Sequence, residues 1–470
     1  MTNKREKATE QQSSNSMYAS REKIYPRQVT GIFAFWRTAG VFILLGLYYL
    51  IPWLIWDGHQ AILFDLPERK FYILGLVLWP QDFFYLALIL MIAGVSLFFF
   101  TAVAGRLWCG YACPQTVWTE VFLWIERKVE GNRSRQIKLD QQELNTHKIF
   151  VKTSKHTIWI IFSLFTGYTF VGYFTPIREL GSAILVNSLG PWETFWILFY
   201  SLATYGNAGW LREQVCIYMC PYARFQSAMF DDDTLIISYD SKRGDPKGSR
   251  NRSADKKTLG LGDCIDCTLC VQVCPTGIDI RDGLQYECIA CAACVDVCDD
   301  VMDKLDYEKG LIRYTTENQL KGKNEKRHNI RPRTVIYSVV LGLLCSVLIY
   351  SIATRVPVQI DIVRDRGSLY RETQDDFIEN NYSIRILNMD HKDHQYRLSI
   401  DDTKTFTLKM KHNVITVPAG KIVTIPVWLR GDPNYLTKTR YIVKIRVKSI
   451  DKHSLEAEEE TRFFAPRPDQ

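Results

Sequence analysis

The sequence lacks the signs of a secreted, disulfide-bonded protein. No secretory signal is expected, because the first apolar run is long, begins well inside the chain and is not followed by a small-residue cleavage site. Twelve of the 13 cysteines are grouped at the spacing of metal ligands rather than distributed as a disulfide framework, and none follows the single Cys345. The cysteine pattern therefore indicates metal or redox chemistry.

A one-sided basic surface is also missing, although the formal net charge is +7. The basic residues flank apolar segments instead of gathering on one predicted face, so we expect membrane orientation and no nucleic-acid partner. The composition is 47% apolar, yet the mean hydropathy is close to zero, which indicates membrane spans diluted by polar domains. No general base or site for carbon chemistry is evident.

Five stretches are long and apolar enough to cross a bilayer, which requires about twenty residues. They are Ala39–Trp56, Phe83–Ala104, Thr157–Thr175, Trp192–Asn207 and Thr334–Ala353. A shorter apolar stretch, Phe71–Pro80, is expected to be interfacial or re-entrant. We therefore expect a polytopic α-helical membrane protein with about five spans.

The basic residues predict how these spans are oriented. The loop after the second span carries nine of them, whereas the loops after the first and third spans hold only Arg69, Lys70 and Arg178. Because positive loops face the cytoplasm, the N-terminal tail, the second-to-third loop and the cysteine-rich block are expected there. Everything after the fifth span is expected on the other side of the membrane.

Eight cysteines form two runs with the spacing Cys-x-x-Cys-x-x-Cys-x-x-x-Cys. In such a run, three thiolates bind three irons of one cubane, and the fourth cysteine ligates the neighbouring cubane. The expected ligands are Cys264, Cys267, Cys270 and Cys298 for cluster 1, and Cys288, Cys291, Cys294 and Cys274 for cluster 2. The runs therefore predict a bacterial-type ferredoxin domain with two 4Fe–4S clusters, which conducts electrons.

A zinc site is the alternative, but zinc sites place two cysteine pairs around a long spacer instead of packing eight thiols evenly. One departure from the bacterial ferredoxin pattern is visible. Pro275 follows Cys274 as that pattern requires, whereas Asp299 follows Cys298 where the pattern has proline. Asp299 is expected to alter the local turn and not the ligation.

A second cysteine motif occurs twice, and each copy follows a predicted span. The first copy runs from Arg106 to Pro114 (RLWCGYACP), and the second from Arg212 to Pro221 (REQVCIYMCP). Within each copy, the i, i+4 separation predicts both thiols on one face of a helix, one turn apart. The proline is expected to mark a turn or a helix start.

These four thiols are expected to meet at the cytoplasmic face and to bind a metal or relay electrons. They belong to Cys109, Cys113, Cys216 and Cys220. Four sulfurs suit Cu(I) or an iron–sulfur centre, and ligand type alone leaves the metal open. Arg106 and Arg212 are expected to lower the thiol pKa values. The alternative is that the cysteines are small residues at a tight helix contact, which is the role we expect for the lone Cys345.

After Arg355 the apolar pattern changes to a period of two, which is typical of strands with one buried face. The candidate strands are Val358–Val363, Tyr382–Asn388, Gln395–Ile400, Thr405–Met410, Lys421–Trp428, Arg440–Lys448 and Glu456–Phe464. About seven short strands joined by turns predict an immunoglobulin-like β-sandwich, here without a disulfide.

Together these motifs resemble the CcoG family, also called FixG or RdxA. The resemblance rests on the run from Arg212 to Gln226 (REQVCIYMCPYARFQ), the paired Cys-x-x-x-Cys-Pro, the eight-cysteine block and the final β domain. Family members are accessory proteins needed to mature the cbb3-type cytochrome oxidase of bacterial inner membranes. The resemblance implies an oxidoreductase, a cupric reductase that supplies Cu(I) to the oxidase. In that role the eight ferredoxin cysteines bind two clusters, and Cys109, Cys113, Cys216 and Cys220 handle copper or relay electrons.

The resemblance further implies oxidase subunits or copper-delivery proteins as partners, besides membrane lipid and an unidentified cytoplasmic electron donor. Two other functions stay open: an electron-transfer subunit of a quinol-linked respiratory chain, and an assembly scaffold whose clusters are structural or sensory. Membrane ferredoxins of nitrate and nitrous oxide systems share the paired motif. The fifth span with its external sandwich, which such subunits would not need, favours the metalloreductase.

The expected architecture is a multi-pass membrane protein with a cytoplasmic 2×4Fe–4S ferredoxin domain and a periplasmic all-β immunoglobulin-like domain. The expected boundaries are residues 1–33 for a polar tail, 34–210 for a four-span core, 211–333 for the ferredoxin domain, 334–353 for the fifth span and 354–470 for the sandwich.

Overall fold

The computed structural model describes residues 23–250, 259–322, 331–365, 367–390, 392–451 and 455–466. Most of the predicted polar tail lies outside the described residues. The chain divides into two compact units. The first combines Met1–Trp53 with Ile92–Gly342, and the second combines Leu54–Met91 with Leu343–Gln470.

Helices account for most of the first unit. They are α1 (Ile32–Leu50), α2 (Phe83–Ala104), α3 (Leu107–Tyr111), α4 (Pro114–Glu130), α5 (Arg133–Gln141), α6 (Thr146–Val171), α7 (Ile177–Leu185), α8 (Pro191–Thr204), α9 (Pro221–Met229), α10 (Ser241–Gly244), α11 (Leu269–Gln272), α12 (Ala293–Lys304), α13 (Glu317–Leu320) and α14 (Pro332–Ala353). Parts of α2 and α14 belong to the second unit. Two further segments, Tyr205–Leu211 and Val215–Met219, are π-helical. Such segments are rare and frequently occur at functional sites.

Among the described residues, three helical segments are long and apolar enough to cross a membrane: Ile32–Trp53, Pro80–Ala104 and Pro332–Ala353. They correspond to the first, second and fifth predicted spans. The third and fourth predicted spans coincide with α6 and α8. Helix α8 has 14 residues, and the π-helical segment Tyr205–Leu211 continues directly from it. The total of five spans stays a prediction.

The first span begins at Ile32 and not at Ala39, because a residue far along the chain caps the helix. The carboxylate of Asp296 in α12 accepts hydrogen bonds from the backbone N–H of Phe33 at 3.2 Å and of Ala34 at 2.7 Å. Free N–H groups at a helix start need such acceptors, and a negative charge is favourable there. The start of α1 is thus set by the ferredoxin domain.

The ferredoxin domain is built on a small two-stranded sheet and the helices that carry its cysteines. Strand β6 (Ile236–Tyr239) pairs antiparallel with β7 (Ile312–Thr315). Both strands contribute to a buried core that includes Ile237, Ala292 and Met302. This core supports the loops before α11 and α12, where the two cysteine runs begin.

Strands dominate the second unit. Near its start, β1 (Ile55–Trp56) pairs with β2 (His59–Gln60), and β3 (Ile62–Asp65), β4 (Lys70–Ile73) and β5 (Leu76–Leu78) form an antiparallel sheet. The stretch Phe71–Pro80 thus supplies strands, which the sequence did not predict.

All seven strands predicted for the C-terminal region are present. The strands are β8 (Val358–Arg364), β9 (Arg371–Glu372), β10 (Ile378–Asn388), β11 (His394–Ile400), β12 (Phe406–Lys409), β13 (Ile415–Val417), β14 (Ile422–Gly431), β15 (Arg440–Ser449) and β16 (Glu456–Phe464). One sheet has the order β12-β14-β10-β8 with β9 beside β10, and the other has the order β13-β11-β15-β16. Their inner faces share one apolar core, so the predicted β-sandwich is confirmed.

Candidate iron–sulfur and thiol site

Two small cavities in the ferredoxin domain each collect cysteines from both runs. The cavity for cluster 1 is lined by Cys264, Cys267, Cys270 and Cys298. The cavity for cluster 2 is lined by Cys274, Cys288, Cys291 and Cys294, with Cys270 at its edge. The structure therefore brings together the same sets of four thiols that crossed ligation of two cubanes requires, and the donor sets fit 4Fe–4S clusters.

The backbone of the two cysteine loops repeats an unusual conformation. Asp266 and Thr268 flank the middle cysteine of the first loop, and Ala290 and Ala292 flank that of the second; all four have φ between 54° and 58°. Residues with a Cβ pay about 1–2 kcal/mol for this left-handed region. Such strain persists where the surroundings impose it and is concentrated at ligand sites. The conformation of the loops is thus consistent with metal binding.

The departure at Asp299 has a structural explanation. In the first run, helix α11 ends at Gln272, before Cys274 and Pro275. In the second run, α12 continues past Cys298 and Asp299 to Lys304. A proline at position 299 would remove a helical N–H, whereas the Asp299 carboxylate accepts a hydrogen bond from Gly310 N at 2.9 Å.

Burial strongly affects the acidity of the ferredoxin thiols. It raises the pKa of both Cys288 and Cys298 to about 12, and that of Cys270 to about 11. A coordinated metal removes the thiol proton outright, because the cation stabilises the thiolate. Insertion of clusters therefore releases protons and supplies the positive charge that these buried sulfurs need.

The two membrane motifs are organised alike: in each, the helical segment that holds the first cysteine ends before the second cysteine. Cys109 lies in α3 and Cys216 lies in a π-helical segment. Cys113 and Cys220 have extended backbones and precede α4 and α9, whose first residues are prolines. The predicted helix start at proline is confirmed. The prediction of one continuous helix per cysteine pair is wrong, because proline disfavours the helical conformation of the residue before it.

The thiols of the two copies lie close enough together to interact. Cys109 is affected electrostatically by Cys113 and Cys216, and Cys113 is affected by Cys220. All four are partly buried. Within the described ranges, no three His, Cys, Asp or Glu side chains are arranged to hold a single metal ion. The structure nevertheless places sulfurs from both halves of the repeat in one group.

The expectation that arginines lower the pKa of these thiols is wrong in its net direction. Burial raises the pKa of Cys109 and of Cys216 to about 12, although Arg106 acts in the opposite sense on both. Arg212 instead pairs with the Glu126 carboxylate, Nη2 to Oε2, at 2.8 Å. A metal that binds these sulfurs must therefore displace protons.

Helix α3 lies directly on the loop of cluster 2. A Cβ added to Gly110 would lie 2.8 Å from Ile289 O and 2.9 Å from Ala290 O. Cys109 packs against the apolar cluster that contains Cys291 and Ile289. Only glycine permits so close an approach of two backbones. The membrane thiols and cluster 2 are therefore neighbours.

Arg106 makes hydrogen bonds to α9 and to the loop of cluster 2. Its Nη2 donates to Ala223 O in α9 at 2.6 Å, and its Nη1 donates to Tyr286 O and, at 3.4 Å, to Cys288 O. One guanidinium thus links the first membrane motif, the second membrane motif and a ligand residue of cluster 2.

Cluster 2 has further contacts that the sequence did not reveal. Arg37 Nη1 in α1 donates to Cys291 O at 3.1 Å. Tyr314 Oη donates to Ala290 O at 2.7 Å and lies 3.3 Å from Tyr111 Oη in α3. Cluster potential depends on hydrogen bonds and local charge, so the guanidiniums of Arg37 and Arg106 would favour reduction of a cluster held there. Arg106 begins the first membrane motif, whereas no spacing or motif marks Arg37 or Tyr314.

A buried group of charges supports the second motif. The carboxylate of Glu126 in α4 is 1% exposed. It lies 2.8 Å from Arg212 Nη2, 3.3 Å from Lys155 Nζ and 3.6 Å from Lys23 Nζ. Burial alone would raise the pKa of Glu126, but these cations together hold it below its usual value. The stabilisation is thus complete at neutral pH and is lost only in acid, as the pH falls through that lowered pKa.

Replacement of Glu126 by glutamine is expected to destabilise the protein by about 3–5 kcal/mol, because it removes the carboxylate that pairs with the buried Arg212 guanidinium. Thermal unfolding of the detergent-solubilised holoprotein measures the effect. Glu143→Gln, at an exposed position, is the matched control and should leave the midpoint unchanged. Equal midpoints for the two variants would show that the buried pairs contribute no net stability.

Family models match three parts of the chain. A 4Fe–4S dicluster domain matches residues 211–317, the Ig-like fold at the C-terminus of FixG matches residues 348–466, and a 4Fe–4S binding domain matches residues 83–132. Protein RdxB of Cereibacter sphaeroides is 38% identical over 437 residues, which cover 89% of this chain and 91% of RdxB. The chain belongs to the FixG/RdxA family.

Other relatives extend over similar lengths. Protein RdxA of Cereibacter sphaeroides is 40% identical, with 83% of this chain and 84% of RdxA covered. Nitrogen fixation protein FixG of Rhizobium meliloti is 35% identical, with 91% of this chain and 87% of FixG covered. The family, the two dicluster-type cysteine runs and the apolar helices together make this chain a membrane iron–sulfur electron-transfer protein of the FixG/RdxA type.

Among solved structures, a FixG-related protein from Vibrio parahaemolyticus covers 23% of this chain and 95% of its own, at 22% identity and a TM-score of 0.21. A GAE domain of yeast GGA1 covers 24% of this chain at 16% identity and a TM-score of 0.15. Neither similarity contributes to the assignment.

Proposed function

We propose that this protein uses its two clusters to reduce Cu(II) to Cu(I) at the four membrane-motif thiols, for delivery to a cbb3-type cytochrome oxidase during assembly. The observation that carries the proposal is the contact of α3 with the loop of cluster 2 at Gly110. This contact brings Cys109, a soft copper ligand, next to an electron carrier.

The chemistry follows from the ligand type. The clusters held by the ferredoxin cysteines would supply the electrons, one for each Cu(II) ion that becomes Cu(I). Thiolates prefer the softer Cu(I) ion, so binding at Cys109, Cys113, Cys216 and Cys220 favours the reduced product. The thiol protons displaced by copper leave to solvent, since burial keeps these groups protonated before binding.

The cytoplasmic side of the membrane is the proposed location of the clusters. Basic residues of the second-to-third loop favour that orientation, and clusters are maintained by the reducing compartment. The sandwich would then lie in the periplasm of a bacterial inner membrane, where oxidase subunits or copper-delivery proteins are its proposed partners. Five spans, an odd number, would place the N-terminal tail and the C-terminal sandwich on opposite sides of the membrane.

Replacement of both Cys109 and Cys113 by serine is expected to abolish copper reduction while both clusters remain. The full-length protein is reduced, freed of excess reductant and mixed with Cu(II), and Cu(I) is followed with a chromophoric chelator. Wild type should yield about two Cu(I) per chain, one per cluster. Cys345→Ser is the matched control, since Cys345 belongs to neither motif and lies within α14. Undiminished Cu(I) formation by the double variant would refute the proposal.

A second candidate function is electron transfer through a third iron–sulfur centre at the four thiols. It is favoured by the match of residues 83–132, which contain Cys109 and Cys113, to a 4Fe–4S binding domain. Iron content separates the two candidates. A third cluster predicts about twelve iron atoms per chain and a loss of about four in the double serine variant, whereas the copper site predicts about eight in both.

A further inference from the structure

A cavity in the first unit lies between α1, α4 and the loops of cluster 2, and its volume is about 710 Å³. This volume is within the range of sites that bind organic cofactors and ligands, about 300–1,000 Å³. Most of its lining is apolar, from residues such as Val41, Leu45 and Val121. Four arginines and two glutamates also line it: Arg27, Arg37, Arg127, Arg212, Glu120 and Glu213. The cavity is therefore suited to an organic molecule that combines an apolar body with polar groups.

One end of the cavity is bordered by side chains on the outer surface of α1. Phe42 and Leu50 line the cavity and are 74% and 63% exposed. Both belong to Ile32–Trp53, which is apolar enough to cross a membrane. A ligand can therefore reach the cavity from the lipid, and its hydrocarbon tail can remain there.

The other end of the cavity adjoins both redox centres. Cys291, a ligand residue of cluster 2, and Cys216, one of the four membrane-motif thiols, both line its wall. Pro275, which follows a further ligand of cluster 2, lines it as well. A lipid acyl chain would make no use of the adjacent redox centres, whereas a redox-active ring would be next to an electron acceptor.

Polar groups in the cavity wall suit a ring that carries hydroxyl or carbonyl groups. Thr119 and Glu120 of α4 line the cavity together with Arg37. Glu120 Oε1 also accepts a hydrogen bond from Arg127 Nη2 at 2.8 Å. In a mostly apolar pocket, the polar groups are what orient a ligand and provide specificity for it.

We propose that this cavity binds a membrane quinol, which is the electron donor of the two clusters. This inference rests on the proposed function, for which it names the reductant, and it places the donor in the membrane instead of the cytoplasm. The substrate class is a lipid-soluble hydroquinone with an apolar tail.

Oxidation of one quinol balances with the two clusters. The quinol loses two electrons and two protons and becomes a quinone. The two clusters held by the eight ferredoxin cysteines would each accept one of these electrons, since each 4Fe–4S cluster is a one-electron carrier. The Glu120 carboxylate accepts one proton, and the other leaves to water. Two adjacent one-electron carriers thus match a two-electron donor.

The test compares two tryptophan substitutions on α1. Val41 lines the cavity, whereas Ile43 is 62% exposed and does not line it. The holoprotein in lipid nanodiscs is mixed anaerobically with a short-chain ubiquinol, and cluster reduction is followed by visible absorbance and EPR. Val41→Trp is expected to slow reduction at least tenfold, and Ile43→Trp to leave the rate unchanged. Where Val41→Trp lowers the iron content, Leu45→Trp takes its place.

Three outcomes would overturn the inference: no reduction of wild-type clusters by the quinol, equal rates in Val41→Trp and wild type, or phospholipid alone recovered from the cavity. The proposed function is tested in a separate experiment, which measures Cu(I) formation by chemically reduced protein mixed with Cu(II). Loss of copper reduction there, with rapid quinol oxidation retained, would refute the copper proposal and leave the quinol site standing.

Discussion

Replacing Cys298 by alanine is expected to remove cluster 1 and to leave cluster 2 intact, although Cys298 belongs to the second cysteine run. The reason is that Cys298 lines the cavity of Cys264, Cys267 and Cys270 and not that of its own run. A cubane needs a ligand for each of its four irons, so the loss of one thiolate on α12 leaves the cluster incomplete. Iron and acid-labile sulfide should each fall from about eight to about four per chain.

EPR spectroscopy identifies which cluster remains. The spectrum of Cys298→Ala should match that of Cys267→Ala, from the first run, and differ from that of Cys291→Ala, from the second. Cys274→Ala is the reciprocal variant and should resemble Cys291→Ala. If Cys298→Ala instead resembled Cys291→Ala, each run would hold its own cluster, and crossed ligation would be excluded.

Replacing Gly110 by valine is expected to slow the transfer of electrons from cluster 2 to copper while both clusters remain. A Cβ at this position would be within 3 Å of two backbone carbonyl oxygens, those of Ile289 and Ala290. Backbone cannot move aside as a flexible side chain can, so α3 and Cys109 must shift away from the cluster. The rate of electron transfer falls as the distance between donor and acceptor grows, and we expect a severalfold reduction here.

Gly94→Val in α2 is the matched control, since a Cβ added there meets no atom within 4 Å. Both variants should retain full iron content and unchanged EPR spectra. The rate is that of Cu(I) formation by chemically reduced protein in a rapid-mixing experiment. A normal rate for Gly110→Val with intact clusters would mean that electrons reach copper by a route that does not cross this contact.

The local spacing of residues determined much of this protein. The eight ferredoxin cysteines predicted two cubanes because the geometry of a cubane demands that spacing. The alternation of apolar residues after Arg355 predicted all seven long strands, because successive side chains of a strand face opposite sides of the sheet. Pro114 and Pro221 predicted helix starts because proline lacks the N–H that only the first turn can spare.

Only the tertiary structure decided how these parts meet. The contact at Gly110, the hydrogen bond from Arg37 to Cys291 and the cap that Asp296 provides for α1 join residues far apart in the chain. The net pKa of Cys109 depends on burial, which outweighs the charge of its neighbour Arg106. Spacing along a chain encodes local geometry, whereas burial and long-range contact depend on which surfaces the folded helices bring together. The cavity beside cluster 2 is therefore a property of the fold alone.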